Sequence, residues 1–147
     1  MRFDQPPPEP LASAPGFLLS WNGQRMAYRF GAALEPLGLG KHHFGVLNLI
    51  ERNPGIAQQE LANLALIDPS SMVAVIDELE RMGLAERRQD PEDRRRRAVH
   101  LTDDGRQMLE RARTVAIETA REAFAPLDSS EVATLTKLLR KLARVES

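Results

Sequence analysis

The apolar positions of the chain change their period twice, and those changes divide it into helices, a hairpin and more helices. From Phe17 to Leu37 the residues Phe17, Leu18, Trp21, Met26, Tyr28, Phe30 and Leu34 spread around a helix, with Pro36 and Gly38 as its stop. A helix that is apolar on more than one side has more than one neighbour. Phe44, Val46, Leu47, Leu49 and Ile50 predict a short second helix, ended by Asn53, Pro54 and Gly55. A third is predicted to begin at Ala57 and to turn Leu61, Leu64 and Ala65 inward. Asp68 caps a fourth, with Pro69 at the first helical position, where its missing N–H has no partner to lose. On that helix Met72, Val75, Ile76, Leu79 and Met82 recur at spacings of three and four, and Gly83 closes it.

At Leu84 the period falls to two. Leu84 and Glu86 flank Ala85, Val99 and Leu101 flank His100, and a turn containing Asp90 and Pro91 lies between them, which predicts a hairpin. Thr102 then caps a long helix whose stripe holds Met108, Leu109, Ala112, Val115, Ala116, Ala120, Ala123 and Phe124, stopped by Pro126. Asp128 and Glu131 form a capping-box pattern for a last helix bearing Val132, Leu135, Leu138, Leu139, Leu142 and Val145. Two helices joined by a tight turn, the second exposing its N-terminal end, followed by a hairpin, make a winged helix-turn-helix. The expected fold is therefore mainly α (α+β). Residues 1–15 are a flexible or extended proline-rich arm, 16–55 the N-terminal helices, 56–101 the winged core and 102–147 the C-terminal helices. The terminal helices have wide apolar faces and too little domain to cover them, so the expected cover is a second copy of the chain.

Composition sharpens this picture at one place. The net charge is only -1, yet Arg87, Arg88, Arg94, Arg95, Arg96 and Arg97 crowd into eleven positions across the hairpin. A basic cluster on a near-neutral chain is the electrostatic footprint of a polyanion, phosphate above all. On the fourth helix only the first turn, with Ser70 and Ser71, is small and uncharged enough to approach base edges. The chain has no cysteine, so disulfides, thiolate zinc sites and thiol switches are excluded. No run of about 18 apolar residues could span a bilayer, and the N-terminus lacks a secretory core, so a cytoplasmic protein without a membrane partner is expected. The carboxylates sit at caps, in the hairpin and on exposed faces, with no phosphate loop, nucleophile elbow or H-E-x-x-H, so neither an enzyme nor a cofactor is expected. His42, His43 and His100 lack the spacing of a metal-ligand set, and no metal is expected.

Asp93-x-Arg95 followed by Val99, Leu101, Thr102 and Gly105 resembles the wing pattern of the MarR (multiple antibiotic resistance regulator) family of transcription factors. Gln59-Glu60-Leu61-Ala62, Asp77-x-Leu79-Glu80-x-x-Gly83-Leu84 and the turn from Pro36 to Leu39 are similar to other family segments, and the likeness covers nearly the whole chain after Pro15. The resemblance implies an obligate homodimer on double-stranded DNA, with the fourth helix in the major groove and the wings in flanking minor grooves. It implies that Arg95 enters the minor groove, oriented by Asp93, while Arg94, Arg96 and Arg97 contact phosphate; Arg88 is a further candidate DNA-binding residue. Many relatives carry a basic residue where this chain has Ala74, next to Val73. These two can touch a thymine methyl, which leaves direct readout to Ser70, Ser71, Gln58 and Gln59. Trp21, Arg25 and Met26, with His43 and Leu47, are the candidates for a cleft binding a small phenolic or carboxylate effector. The function expected is a repressor on a pseudo-palindromic operator. Two alternatives use the same wing differently: an architectural protein binding nucleic acid without sequence preference, and a winged module for protein interaction.

Overall fold

The computed structural model describes residues 3–146. Six helices and three short strands follow in the order α1 (Pro15–Leu34), α2 (Lys41–Arg52), β1 (Ile56–Ala57), α3 (Gln58–Ala65), α4 (Pro69–Arg81), β2 (Ala85–Gln89), β3 (Arg97–Leu101), α5 (Asp103–Ala123) and α6 (Ser129–Leu142). The strands form one antiparallel sheet with β3 in the middle, pairing Ile56 with Val99 on one side and Arg87 with Val99 on the other. The class is the expected one, a mainly helical winged helix-turn-helix.

Local chemistry sets most of the boundaries. The Asp68 carboxylate accepts the Ser71 N–H, the Thr102 hydroxyl accepts that of Gly105, and Asp128 and Glu131 exchange both bonds of a capping box. Gly83 adopts φ +72°, and the Leu84 and Gly83 amides donate to the Leu79 and Glu80 carbonyls, the paired bonds of a Schellman stop. That stop turns the chain directly from α4 into β2.

Several expectations need correcting. The first helix ends at Leu34, because Glu35–Leu37 tighten into a 3-10 turn closed by Gly38 at φ +74°. Ile56 and Ala57 extend the sheet before α3 begins, where a helix start was expected at Ala57. Leu64 is exposed and Ala62 buried. The inward face of α3 is centred between Leu61 and Ala62, which places Leu64 about 110° away. The arm is not simply extended: Leu11–Ser13 form a 3-10 turn, Pro15 already belongs to α1, and the Phe3 ring lies 5.6 Å from that of Trp21 and 5.9 Å from Tyr28. Residues 1, 2 and 147 lie outside the described part.

The core gathers Leu34 from α1, Val46, Leu47 and Ile50 from α2, Leu61, Met72, Ile76 and Leu79 from α3 and α4, Val99 from β3 and Leu109 from α5. α1 lies along α5. α6 buries no residue at all, and Ile117, Leu138 and Leu142 stand 62%, 53% and 70% exposed, so large apolar side chains of α5 and α6 remain uncovered within one chain. None of the helices among the described residues is long and apolar enough to cross a membrane.

Candidate nucleic-acid interface

The N-terminus of α4 is built around one carboxylate. Asp68 Oδ1 accepts the Ser70 hydroxyl at 2.6 Å and the Ser71 amide at 3.0 Å, while Oδ2 accepts the Ser71 hydroxyl at 2.5 Å. The Ser70 hydroxyl, then that of Ser71, hold the Asp68 carboxyl well below the usual carboxylate range, so it remains an anion. Both serines spend their protons on Asp68 and present only lone pairs outward. Ser70, Ser71, Val73 and Ala74 are all exposed, while Met72, Val75, Ile76 and Leu79 are buried. The outer face of the first turns therefore offers hydroxyl acceptors followed by small apolar groups.

The wing is the loop between β2 and β3, closed where the Asp90 amide donates to the Arg96 carbonyl. The Asp93 carboxylate accepts the backbone N–H of Arg95 at 2.9 Å, and the Asp93 carbonyl accepts that of Arg96. Asp93 thus shapes the turn through the main chain, as aspartates do in Asx-turns, and makes no ion pair with the Arg95 guanidinium it was expected to orient.

The arginines divide into two groups. Arg88 pairs with Glu86, and Arg96 reaches Glu60 on α3 at 2.7 Å and Asp90 at 3.9 Å. Arg94, Arg95 and Arg97 form no ion pair among the described residues, and all three are exposed. They project from the tip and its C-terminal flank. Arg95 and Arg97 also line an open groove of about 650 Å³ with Gln58, Gln59 and Asn63 of α3.

Arg87 was not among the predicted site residues, and it does something different from the rest. Its side chain is 17% exposed and makes four attachments: ion pairs to Asp77, at 2.8 Å, and Glu80, a bond from Nε to Gln58 Oε1 at 2.7 Å, and one to the Val73 carbonyl at 3.2 Å. It bolts the base of the wing to the middle of α4 and the start of α3. The signal was present in the sequence, because strand alternation from buried Ala85 puts Arg87 on the inward face, opposite buried Val99, and Arg88 on the outer one. Gln58 is correspondingly occupied: its carbonyl holds Arg87, and only its amide NH2 is left to donate.

The five effector candidates do not converge. Arg25 stacks on Trp21, with Cζ 5.4 Å from the ring centroid, and Met26 is half-buried beside them in sequence. The Arg25 Nε is buried without a hydrogen-bond partner. α1 meets α2 where Phe30 and Phe44 pack edge-on at 5.1 Å, and Trp21 lies nine residues earlier, about 13 Å up the helix. Leu47 is fully buried in the core, and His43 has both ring nitrogens engaged, Nδ1 accepting the Gly40 amide at 2.9 Å and Nε2 donating to Glu78 Oε2 at 2.6 Å.

A wing on a three-stranded sheet, a capped helix with an exposed first turn and an arginine strut fixing one to the other define a winged helix-turn-helix DNA-binding protein. Residues 37–96 match the family model described as "MarR family". The chain is 38% identical over 139 residues to a putative transcriptional regulatory protein for the hcr operon of Thauera aromatica, covering 93% of this chain and 83% of that protein. Among solved structures, it is similar to a mutant MarR from E. coli complexed with operator DNA, with TM-score 0.76, 29% identity and coverage of 86% of this chain and 91% of that one. It is also similar to CouR from Rhodococcus jostii RHA1 bound to p-coumaroyl-CoA, with TM-score 0.76, 30% identity and coverage of 95% and 99%. The chain belongs to the MarR family of transcriptional regulators.

Proposed function

We propose that the protein is a homodimeric repressor that occupies a pseudo-palindromic operator and is released by a small phenolic or carboxylate effector. The observation that carries this reading is the division of the arginines. Arg87 is consumed in holding the wing to α4, while Arg94, Arg95 and Arg97 are left as unpaired cations beyond it. A rigid mount with a free cationic tip suits insertion of Arg95 into a narrow minor groove, with Arg94 and Arg97 on phosphate. Ser70 and Ser71, as acceptors, match the amino groups of cytosine or adenine in the major groove, and Val73 and Ala74 match thymine methyls.

The uncovered apolar faces of α5 and α6 support a two-fold dimer, which sets two α4 helices about one DNA turn apart. The similarity to structures holding operator DNA and p-coumaroyl-CoA supports DNA and an aromatic effector as partners. On this chain the Trp21–Arg25 pair suits such an effector, since an indole ring and a guanidinium complement an aromatic ring and a carboxylate. An effector that prefers the dimer with mismatched α4 spacing lowers DNA affinity by the same factor that DNA lowers effector affinity. The protein acts on DNA in the cytoplasm and catalyses no reaction.

The test is fluorescence anisotropy on a labelled fragment from upstream of its own gene, against scrambled DNA, over a salt series. Arg95→Ala is expected to weaken operator binding by about 1–3 kcal/mol and to lower the salt slope by about one. Arg25→Ala is expected to leave it unchanged. Equal losses in both overturn the assignment of roles, and equal affinity for both DNAs favours the architectural alternative.

A further inference from the structure

Away from the wing, one cluster of donor atoms joins His43 to two residues that no site described so far uses. His42 and His43 stand on the first turn of α2, and Glu78 lies 35 residues beyond His43, on the third turn of α4. Both imidazole Nε2 atoms approach the same carboxylate oxygen, at 3.5 Å from His42 and 2.6 Å from His43, and one ligand atom from each of the three residues lies within 4.8 Å of the others. The two rings are 4.0 Å apart at their centroids. We propose that His42, His43 and Glu78 bind a divalent transition-metal ion of the Zn2+ class, one per chain, which ties the start of α2 to the middle of α4.

The spacing fits such an ion. Four-coordinate zinc with bonds of 2.0–2.1 Å holds its donors about 3.3 Å apart. The His42–Glu78 separation already has that value within a few tenths of an ångström, and the His43–Glu78 hydrogen bond opens by about 0.7 Å to reach it. Two imidazoles with one carboxylate select zinc, cobalt or nickel over magnesium or calcium, which take oxygen donors. The His42 and Glu78 side chains are 50% and 42% exposed, so an ion has an entry path and water completes its coordination.

The two histidines play unequal parts. His43 Nδ1 accepts the Gly40 N–H, which fixes the neutral tautomer with its proton on Nε2. Metal binding at Nε2 shifts that proton to Nδ1 and replaces the bonds to Gly40 and Glu78 with coordination to the ion. His42 has no such local duty. Half exposed, it nonetheless folds back over Gly40, whose Cβ position would lie 2.8 Å from the His42 Nδ1, and its Nε2 turns to the Glu78 oxygen that His43 already holds. A helix-capping role accounts for His43 alone, whereas a shared ion accounts for the convergence of both imidazoles on one carboxylate oxygen. The two imidazoles also hold the Glu78 carboxyl below its ordinary range, led by the bond from His43, so it is available as an anionic ligand.

The effect on DNA rests on the function proposed above, in which α4 enters the major groove. Binding of an ion between α2 and Glu78 changes the setting of that helix, and with it operator affinity. The first experiment avoids that assumption. Full-length protein, stripped with chelator, is titrated with Co2+ and read by the visible ligand-field bands of a four-coordinate site, then with Zn2+ in competition with a chromophoric chelator. One ion per chain is expected, with the bands lost in His42→Ala and Glu78→Gln and kept in His100→Gln. Neither of the first two changes removes a core side chain, and Gln retains an acceptor for His43. Absence of bands in the wild type, or bands unchanged in both variants, overturns the site. Operator affinity is then measured in zinc buffer and in chelator for the wild type and His42→Ala. A zinc-dependent shift confined to the wild type supports the coupling, and its absence overturns the coupling. If the protein recognises no operator in zinc buffer or in chelator, the function proposed above fails while the metal titration stands.

Discussion

Replacing Gly105 with alanine tests how the wing is seated. Gly105 is buried in the first turn of α5, and a Cβ there would collide with the Leu84 carbonyl oxygen, lying 2.9 Å from the carbonyl carbon and 3.3 Å from Cα. The oxygen is the nearest of the three and governs the movement: Cβ contacts closer than 3.0 Å essentially do not occur, so Leu84 and α5 must separate by roughly 1 Å or more. Backbone cannot swing aside as a side chain can. The same carbonyl accepts the Thr102 amide at 3.1 Å, and the Thr102 hydroxyl in turn donates to the Gly83 carbonyl at 2.6 Å, so the movement strains the junction of α4, β2, β3 and α5 together. Overpacking costs about 1–3 kcal/mol and a weakened hydrogen bond about 0.5–1.5 more, against about 0.5–1 regained because alanine is the better helix former. The expected net loss is roughly 2–3 kcal/mol. Urea unfolding at fixed protein concentration measures it. Gly45→Ala is the control, since that residue is exposed within α2 with nothing near its Cβ position, and is expected to gain about 0.5–1 kcal/mol. If Gly105→Ala proves as stable as the wild type, the close approach of α5 to Leu84 does not seat the wing.

Arg87→Met removes a nearly buried cation while keeping its stem, leaving Asp77 and Glu80 facing each other without a counter-charge. We expect a loss of about 1–2 kcal/mol in urea unfolding and weaker DNA binding with an unchanged salt slope; a slope lowered by about one, as in Arg95→Ala, would show instead that Arg87 touches phosphate. Ile117→Glu with Leu142→Glu places charge on the uncovered apolar face, and sedimentation should show a dimer dissociation constant raised more than about tenfold, whereas an unchanged constant refutes that face as the interface. Asp68 has a lowered native pKa, so its contribution to stability is complete above the ordinary carboxylate range and is lost as pH falls through the native value. The difference in thermal stability between the wild type and Asp68→Asn should therefore hold from neutral pH down to about pH 4 and narrow below it, and a gap that widens on acidification contradicts the cap.

The helix ends were legible because their causes are local. Asp68, Thr102, Gly83 and the Asp128–Glu131 pair each act within a few residues, and each marks the boundary it suggested. What escaped depends on partners distant in sequence. Two residues cannot display a period, so Ile56–Ala57 become a strand only because Val99 is there to pair with them. Leu64 was assigned inward from hydrophobicity alone, although an eight-residue helix has room for one narrow buried face, and Leu61, Ala62 and Ala65 fill it. For the candidate site, the sequence distinguished the wing from the rest of the chain, and the family resemblance set Arg95 apart, but neither showed which arginines are paired. Their separation into strut, surface pair and free tip depends on Asp77, Glu80 and Glu60, which reach them from α3 and α4. The approach of Glu78 to the two histidines is non-local in the same way.

Those acidic partners also explain how a chain of net charge -1 can present a surface for DNA. Twenty lysines and arginines face twenty-one acidic residues, so the field depends on where the charges cancel. At the base of the wing Asp77 and Glu80 neutralise Arg87, and along its sides Glu86 and Glu60 answer Arg88 and Arg96. These pairs lie within a few ångströms, and their fields fall off quickly. At the tip and its flank, the nearby Asp93 carboxylate is engaged with the backbone of Arg95, and Arg94, Arg95 and Arg97 remain without ion-pair partners. Close pairing where the chain needs rigidity, and no pairing where it meets solvent, concentrates positive potential at the wing without making the whole protein basic. A uniformly basic protein would bind any duplex through phosphate alone. In the function proposed above the attraction falls on a few residues held at a fixed angle to α4, so full electrostatic binding would require α4 to be seated as well, which would couple affinity to sequence.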